Sequence, residues 1–423
     1  MKNKKNILII TPYMPYPLNS GGNVAQFSLI NGLRNDFNIN LVFPLNSYRD
    51  NDYLNLKTKF DDVSFYPFIE DFRFKLVRFL SQRIPVNFYD FLSSLILKRQ
   101  GISKRDISIY NTGGLFKNIN ISFDKYFLRH LELIISKKNI DIIQVEFFDL
   151  ISLGPFLPKN IPKIFIHHEI RFIRDKRFFQ LLEKSYPLIE YQLLRNKGIE
   201  LSLLESYDKV VTLSTIDKKE LLTYNPLLNI EVSPVPIKSL IPLENVDSFT
   251  FSHTLTFLGG ETHFPNKDAI DWFIENCWDK IKNIYPKMTL KIIGVWSEDS
   301  KLYCKSDSSI IFKGFVDDLS EELKNSIFIV PIRIGSGIRM KIIESINIGC
   351  PIISTTIGME GLDFKNSIDF LLADTSDEFV DNVCELIEDM TLSTRLIENS
   401  RNTLSKKYSY INLIEKRKVI YDF

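Results

Sequence analysis

Residues 327–362 read IFIVPIRIGSGIRMKIIESINIGCPIISTTIGMEGL, and this stretch leaves few folds open. The apolar run 327–332 reads as a short buried strand. Gly335, Ser336 and Gly337 then permit a tight turn and close approach of backbone to a ligand. Met340, Ile343 and Ile346 recur at helical spacing, and Gly349 and Pro351 stop the helix. The β-branched run 351–354 is a second strand. Strand, glycine turn, helix and strand make a βαβ unit, whose turn points free N–H groups and the positive end of a helix at one place. Arg339 and Lys341 stand in the first helical turn, where the helix dipole disfavours cations. A bound anion is the simplest reason for them; a solvated basic turn on an ordinary crossover is the alternative. Glu344, three residues beyond Lys341, is near enough to accept a hydrogen bond from a sugar hydroxyl.

A chain of 423 residues exceeds what one hydrophobic core usually serves, so two domains are expected. Prolines 226, 234, 236 and 242 mark a linker and divide the chain into 1–235 and 236–404. A net charge of +1 provides no global field for nucleic acid. Cys277, Cys304, Cys350 and Cys384 lack CxxC spacing, so they read as packing thiols in a reducing cytoplasm, with neither a zinc site nor a disulfide framework. No uncharged apolar run approaches 18 residues, so no membrane span is expected, and the apolar run at the N-terminus is too short for a signal peptide.

The first half opens as strand 6–10, loop 11–22, helix 23–33 and strand 39–43, the start of a doubly wound domain that binds ligands beyond its strand ends. Gly21 and Gly22 close the loop, either to make the turn or to let substrate approach. Asp50-Asn51-Asp52 reads as polar loop composition rather than a metal motif. Residues 71–101 interleave six Arg or Lys with large apolar side chains; this is either an amphipathic surface for an anionic membrane or a solvated helical face. Glu146 lies near the end of strand 140–148, facing a ligand or capping a turn. His167, His168 and Glu169 follow strand 163–166, at the end where catalytic groups gather. Residues 172–207 read as one long charged helical stretch. Strand 209–214 then closes the first half, with Thr215 as N-cap of helix 215–222. The second half begins with strand 254–258, Gly259-Gly260, a loop through Asn266 and helix 268–282, followed by strands 288–294 and 310–314.

The region 330–362 resembles the donor-binding region of the family 4 glycosyltransferases. It is most similar to the branch with the pattern P-x-R-x-G-S-G-x-R-x-K-x-x-E-(x4)-G-x-P-(x3)-T-(x2)-G-x-E-G. Here that is Pro331, Arg333, Gly335, Ser336, Gly337, Arg339, Lys341, Glu344, Gly349, Pro351, Thr355, Gly358, Glu360 and Gly361. The spacing of Phe257, Gly259, Pro265, Asn266, Asp268, Ala269, Trp272 and Phe273 resembles the same branch, as does 314–319. Weaker likenesses lie at 11–33 and 140–171.

The resemblance implies an α/β protein of the GT-B type, two Rossmann-like domains facing across a cleft, with a C-terminal helix at about 405–423 crossing back onto the first. It implies a retaining glycosyltransferase that needs no metal or other cofactor and moves a sugar from a nucleotide-diphosphate sugar, UDP- or GDP-linked, to an acceptor hydroxyl. A lipid-linked glycan acceptor is expected, in cell-surface polysaccharide synthesis (capsule or lipopolysaccharide) at the cytoplasmic face of a bacterial membrane. It assigns His168, Arg339 and Lys341 to catalysis. Gly259, Asn266, Gly335, Ser336, Gly337 and Glu344 join Arg339 and Lys341 around the donor, and Gly21, Gly22, Glu146 and Glu169 lie on the acceptor side. His168 is preferred to His167, with Arg171 in support. The chain departs from the family in two places. Other members hold the diphosphate with an Arg and a Lys near Gly260 and Glu261; here Lys267 is displaced. The family's pair of glutamates eight apart is here Ser336 and Glu344, so the first carboxylate is missing. A UDP-sugar 2-epimerase of the same fold and a non-catalytic sugar-nucleotide-binding protein are the alternatives.

Overall fold

The computed structural model describes residues 4–45, 49–69, 125–181, 187–236, 249–303, 307–316 and 318–423. The basic aromatic segment 71–101 and Cys304 lie outside the described residues. The chain divides into two compact units. The first comprises Met1–Thr212, Lys218–Ser233 and Arg417–Phe423; the second comprises Leu213–Asp217 and Pro234–Lys416.

The first unit is built on seven strands: β1 (Asn6–Ile10), β2 (Asn38–Leu45), β3 (Ser64–Ile69), β4 (Ile142–Glu146), β5 (Lys163–His167), β6 (Lys209–Thr212) and β7 (Ile230–Val232). Their order is β3-β2-β1-β4-β5-β6-β7, with every pair parallel. A parallel sheet is covered on both faces, so its strands are continuous apolar runs rather than alternating ones. Ile7, Leu8, Ile9 and Ile10 are accordingly all buried. The order reverses between β1 and β4, and the groups after those two strands share one end of the sheet.

The second unit repeats the plan with β8 (Thr254–Leu258), β9 (Thr289–Ile293), β10 (Ile310–Gly314), β11 (Ile327–Val330), β12 (Ile352–Ser354) and β13 (Leu371–Leu372). Their order is β10-β9-β8-β11-β12-β13, all parallel, with the reversal between β8 and β11. Phe257, Phe273, Trp278, Phe328 and Phe379 fill its core. Thr375 and Glu378 close a reciprocal capping box at the start of helix Ser376–Glu388, as a Thr-x-x-Glu sequence allows.

Several boundaries differ from the sequence reading. Gly21 and Gly22 are not loop residues; they open helix Gly21–Leu33, and the Ser20 hydroxyl caps it. Asp50 and Asp52 belong to the first turn of helix Asp50–Lys59, where carboxylates complement the helix dipole. The stretch 172–207 contains two helices, Arg171–Gln180 and Pro187–Leu204. Thr215 does not cap the next helix; Ser214 does, its Oγ accepting from the Asp217 amide at 3.0 Å. β6 is followed by a further strand, β7, which lies inside the stretch read as linker. The expected helix 268–282 starts earlier, with Pro265 in its first turn, and runs as Phe264–Phe273, a π turn and Asp279–Ile284. Among the described residues no helix is long and apolar enough to cross a membrane.

Candidate active site

In the second unit, the switch point brings the loop after β8 beside the loop after β11. The first loop carries Gly259 and Gly260 and leads into helix Phe264–Phe273, whose first turn carries Asn266; the second carries Gly335, Ser336 and Gly337 and leads into helix Met340–Ile348. Gly337 has φ +76°, a left-handed conformation that L side chains adopt reluctantly. A Cβ on Gly335 would lie 2.5 Å from the Arg339 guanidinium, so glycine there lets the arginine fold back over its own turn. Arg339 is the N-cap residue, and its Nη1 donates to the carbonyls of Ser336, at 2.7 Å, and Gly337.

Lys341 is held from the helix that follows the first loop. Its Nζ donates to Asn266 Oδ1 at 2.8 Å and lies 4.3 Å from the centre of the Phe257 ring. Asn266 in turn donates to the Gly260 carbonyl at 2.9 Å. A Cβ on Gly259 would stand 2.6 Å from the Asn266 amide, which explains the glycine. Arg333 fastens the second loop to the same helix: it grips Asp268 with two hydrogen bonds of 2.6 and 3.1 Å and lies over Trp272. Asp268 and Arg333 of the motif thus hold each other. Lys267 is occupied with Asp271 at 3.1 Å and Glu261 at 3.7 Å. Ser336 donates to Asp217 Oδ1 at 3.3 Å, within the stretch Leu213–Asp217 that groups with this unit.

Burial, and then the neighbouring Arg339 charge, push the Lys341 ammonium down to about 7. Burial raises the Glu344 carboxyl to about 7, against the pull of Lys341. Among the described residues no hydrogen bond or ion pair engages the Glu344 carboxylate. A polyanion arriving at this turn would restore the charge on Lys341. The sign follows: at pH 8 the empty site holds Lys341 mostly neutral and Glu344 mostly ionised, and an occupied site holds Lys341 charged. Binding of a nucleoside diphosphate at pH 8 is therefore expected to take up protons. Calorimetry in buffers of different ionisation enthalpy measures this; proton release, or no exchange, would remove Lys341 from the anion site.

In the first unit, Glu146 ends β4 and His168 follows β5. His168 Nε2 and Glu146 Oε2 are 2.6 Å apart, and Glu146 is buried. The His168 ring stacks on Phe147 with centroids 3.8 Å apart and planes within 9°. Phe147 has φ +66°, a costly conformation for a side chain of that size. Tyr13 also packs against Phe147, with ring centroids 4.7 Å apart, and a Cβ on Gly22 would stand 2.5 Å from the Tyr13 hydroxyl. Burial and the carboxylates of Glu146, Asp149 and Glu169 push the Tyr13 hydroxyl far up, so it stays protonated. Glu169 pairs with Arg174 at 3.0 Å and Arg171 at 3.5 Å. His167 turns the other way: its Nε2 lies 3.0 Å from Glu200, which accepts the amides of Arg171 and Phe172 and holds the start of their helix. Tyr13 and Phe147 were not singled out in the sequence, where aromatic residues beside loops are too common to signal anything.

Residues 252–389 match the family described as glycosyl transferases group 1. The second unit carries a glycosyl transferase group 1 domain. Several solved structures share the fold of the whole chain. TarM of S. aureus is 12% identical, with a TM-score of 0.66 over 100% of this chain and 99% of that one. Sucrose-phosphate synthase of Thermosynechococcus elongatus is 12% identical, with a TM-score of 0.66 over 99% and 98%. HepE of Anabaena, in complex with UDP-glucose, is 10% identical, with a TM-score of 0.65 over 98% of each chain. Both units are therefore Rossmann-like domains of a GT-B fold. No curated protein matches the sequence significantly. Within the group 1 domain lie Gly259, Asn266, Gly335, Ser336, Gly337, Arg339, Lys341 and Glu344; His168, Glu146, Glu169, Gly21 and Gly22 lie outside the matched region.

Proposed function

We propose that this protein is a retaining glycosyltransferase that moves a hexosyl group from a nucleotide-diphosphate sugar to an acceptor hydroxyl. The observation that carries the reading is the paired cations Arg339 and Lys341 at a helix N-terminus in a group 1 domain, with Asn266 holding Lys341 from the start of helix Phe264–Phe273. The bond from the anomeric carbon to the diphosphate breaks with its electron pair on the diphosphate. The acceptor oxygen bonds to that carbon, and its proton passes to the departing phosphate. Positive groups fixed in place before the reaction stabilise the leaving charge. Arg339, Lys341 and the amides of Gly335 to Ile338 serve this purpose, so the reaction needs no metal. Glu344 receives the ribose hydroxyls, and His168 approaches the transferred sugar from the acceptor side. HepE was solved with UDP-glucose, which favours UDP as the nucleotide here.

The test is a binding screen of nucleotide sugars with purified protein, then transfer to membrane lipid extracts in the presence of EDTA. Transfer with retained anomeric configuration is the expected result. Ser336, standing where the family has a carboxylate, favours a second reading as a sugar-nucleotide-binding protein without transfer. Binding without transfer or donor hydrolysis would establish that reading instead.

A lipid-linked glycan acceptor at the cytoplasmic face of the membrane belongs to the same proposal. Its support is the composition of 71–101, where six Arg or Lys residues alternate with large apolar ones. Each basic residue near an anionic surface contributes roughly 1 kcal/mol. Reversing Arg73, Lys75 and Arg78 to Glu is expected to release the protein from anionic vesicles and to lower transfer to a lipid-linked acceptor more than donor hydrolysis. Wild-type protein that ignores such vesicles at low salt would end the membrane claim.

A further inference from the structure

Residues 417–423 group with the first unit and are fastened to it by several side chains. Lys5 donates to the Tyr421 carbonyl at 2.9 Å, Lys209 donates to the Ile420 carbonyl at 2.7 Å, and Lys418 pairs with Asp36 at 2.7 Å. Tyr421 is the deepest of them, fully buried with its ring near Phe37. Its hydroxyl reaches Gln144 Oε1 at 2.6 Å. Gln144 donates through Nε2 to Glu146 Oε1, and the other oxygen of Glu146 meets His168 Nε2 at 2.6 Å. Gln144 and Glu146 are two apart on β4, so the strand places both side chains on one face.

The direction of this chain is fixed by chemistry. Burial keeps the Tyr421 hydroxyl protonated, so it donates. The Gln144 amide must then present oxygen to the tyrosine and nitrogen to Glu146. A carboxylate only accepts, so the partner of its second oxygen is a proton on His168 Nε2. Tyr421 donates to Gln144, and Gln144 and His168 donate to Glu146; Gln144 and Glu146 are both buried away from water that could substitute. In the neutral ring, Nδ1 of His168 is then the acceptor nitrogen.

We propose that Tyr421 is a positioning residue: through Gln144 and Glu146 the C-terminal tail sets the tautomer and orientation of His168. The proposal rests on the reading of His168 as the acceptor-side group. In the full chain labelled with 15N-histidine, the His168 side-chain nitrogen shifts at pH 8, assigned with His168→Gln, should show the Nε2-protonated form. Tyr421→Phe keeps the ring and removes one hydroxyl. It is expected to move His168 toward a mixture of tautomers and to lower turnover by up to about tenfold, the low end of the scale for a group bonded directly to a functional histidine, because Gln144 and Glu146 stand between, with donor KM little changed. Gln144→Met breaks the chain at its middle and should give the same signature. An unchanged His168 signature in Tyr421→Phe overturns the proposal, whatever the turnover, as does a change in Gln144→Met alone. If wild-type protein transfers no sugar but Tyr421→Phe still shifts the tautomer, the relay stands and the glycosyltransferase reading falls.

Discussion

Replacing Lys341 by alanine is expected to cut turnover by about two orders of magnitude or more, and Arg339→Ala should do the same, the scale of losing one fixed charge-stabilising donor. Both cations sit where a helix end already repels them, and Lys341 loses proton affinity in the empty site through burial and through Arg339. Hydrogen bonds to the Ser336 and Gly337 carbonyls and to Asn266 offset part of that cost and a bound anion offsets more, so the substitutions should change thermal stability little. If both side chains act on one diphosphate, as proposed, the double variant should lose less than the product of the two single losses. Steady-state transfer and donor hydrolysis, with melting curves on the same preparations, provide the check. Unchanged kinetics in both single variants would exclude them from the mechanism.

The second large effect is expected at Glu344. Glu344→Ala should weaken nucleoside diphosphate binding by about 1–3 kcal/mol, the worth of a hydrogen bond to a charged group. Glu344→Gln, which keeps an acceptor oxygen but not the charge, should lose less. The carboxyl is raised to about 7 by burial, and it stands three residues from Lys341 on helix Met340–Ile348. Its contribution to binding should therefore grow as pH rises through about 7, opposite in sign to that of Lys341. Titration calorimetry of wild type and Glu344→Ala at pH 6 and pH 8 separates the two. Equal affinities for the free nucleotide at both pH values would contradict a ribose contact.

The placement of the cations and Glu344 at the glycine turn and on its helix was legible in the sequence because it is set locally. Gly335, Gly337, Arg339, Lys341 and Glu344 fall within ten residues, where turn geometry and helix spacing already place them around one point. The helix starts were less legible. Ser20 and Ser214 cap helices one or more residues away from the expected starts, because several small polar residues in a row can each serve and packing chooses among them. β7 escaped because three residues carry too little pattern; its place is set by pairing with β6.

What the sequence determined by itself was the alternation of buried strands and helices, the glycine turn, and the residues that converge beside it, since all of these follow from periodicities and conformational limits within a few dozen residues. What the tertiary structure decided was the partner of each polar group. Arg333, read with the motif, is committed to Asp268, and Lys341 is held by Asn266 across the switch point. His167 and His168 are neighbours in the chain, yet one turns toward Glu200 and the other toward Glu146 and Phe147. Tyr421 reaches Gln144 across 277 residues of chain. A hydrogen bond has a range of about 3 Å and no dependence on sequence separation, so only the folded arrangement of the strands can say which of many possible partners is met.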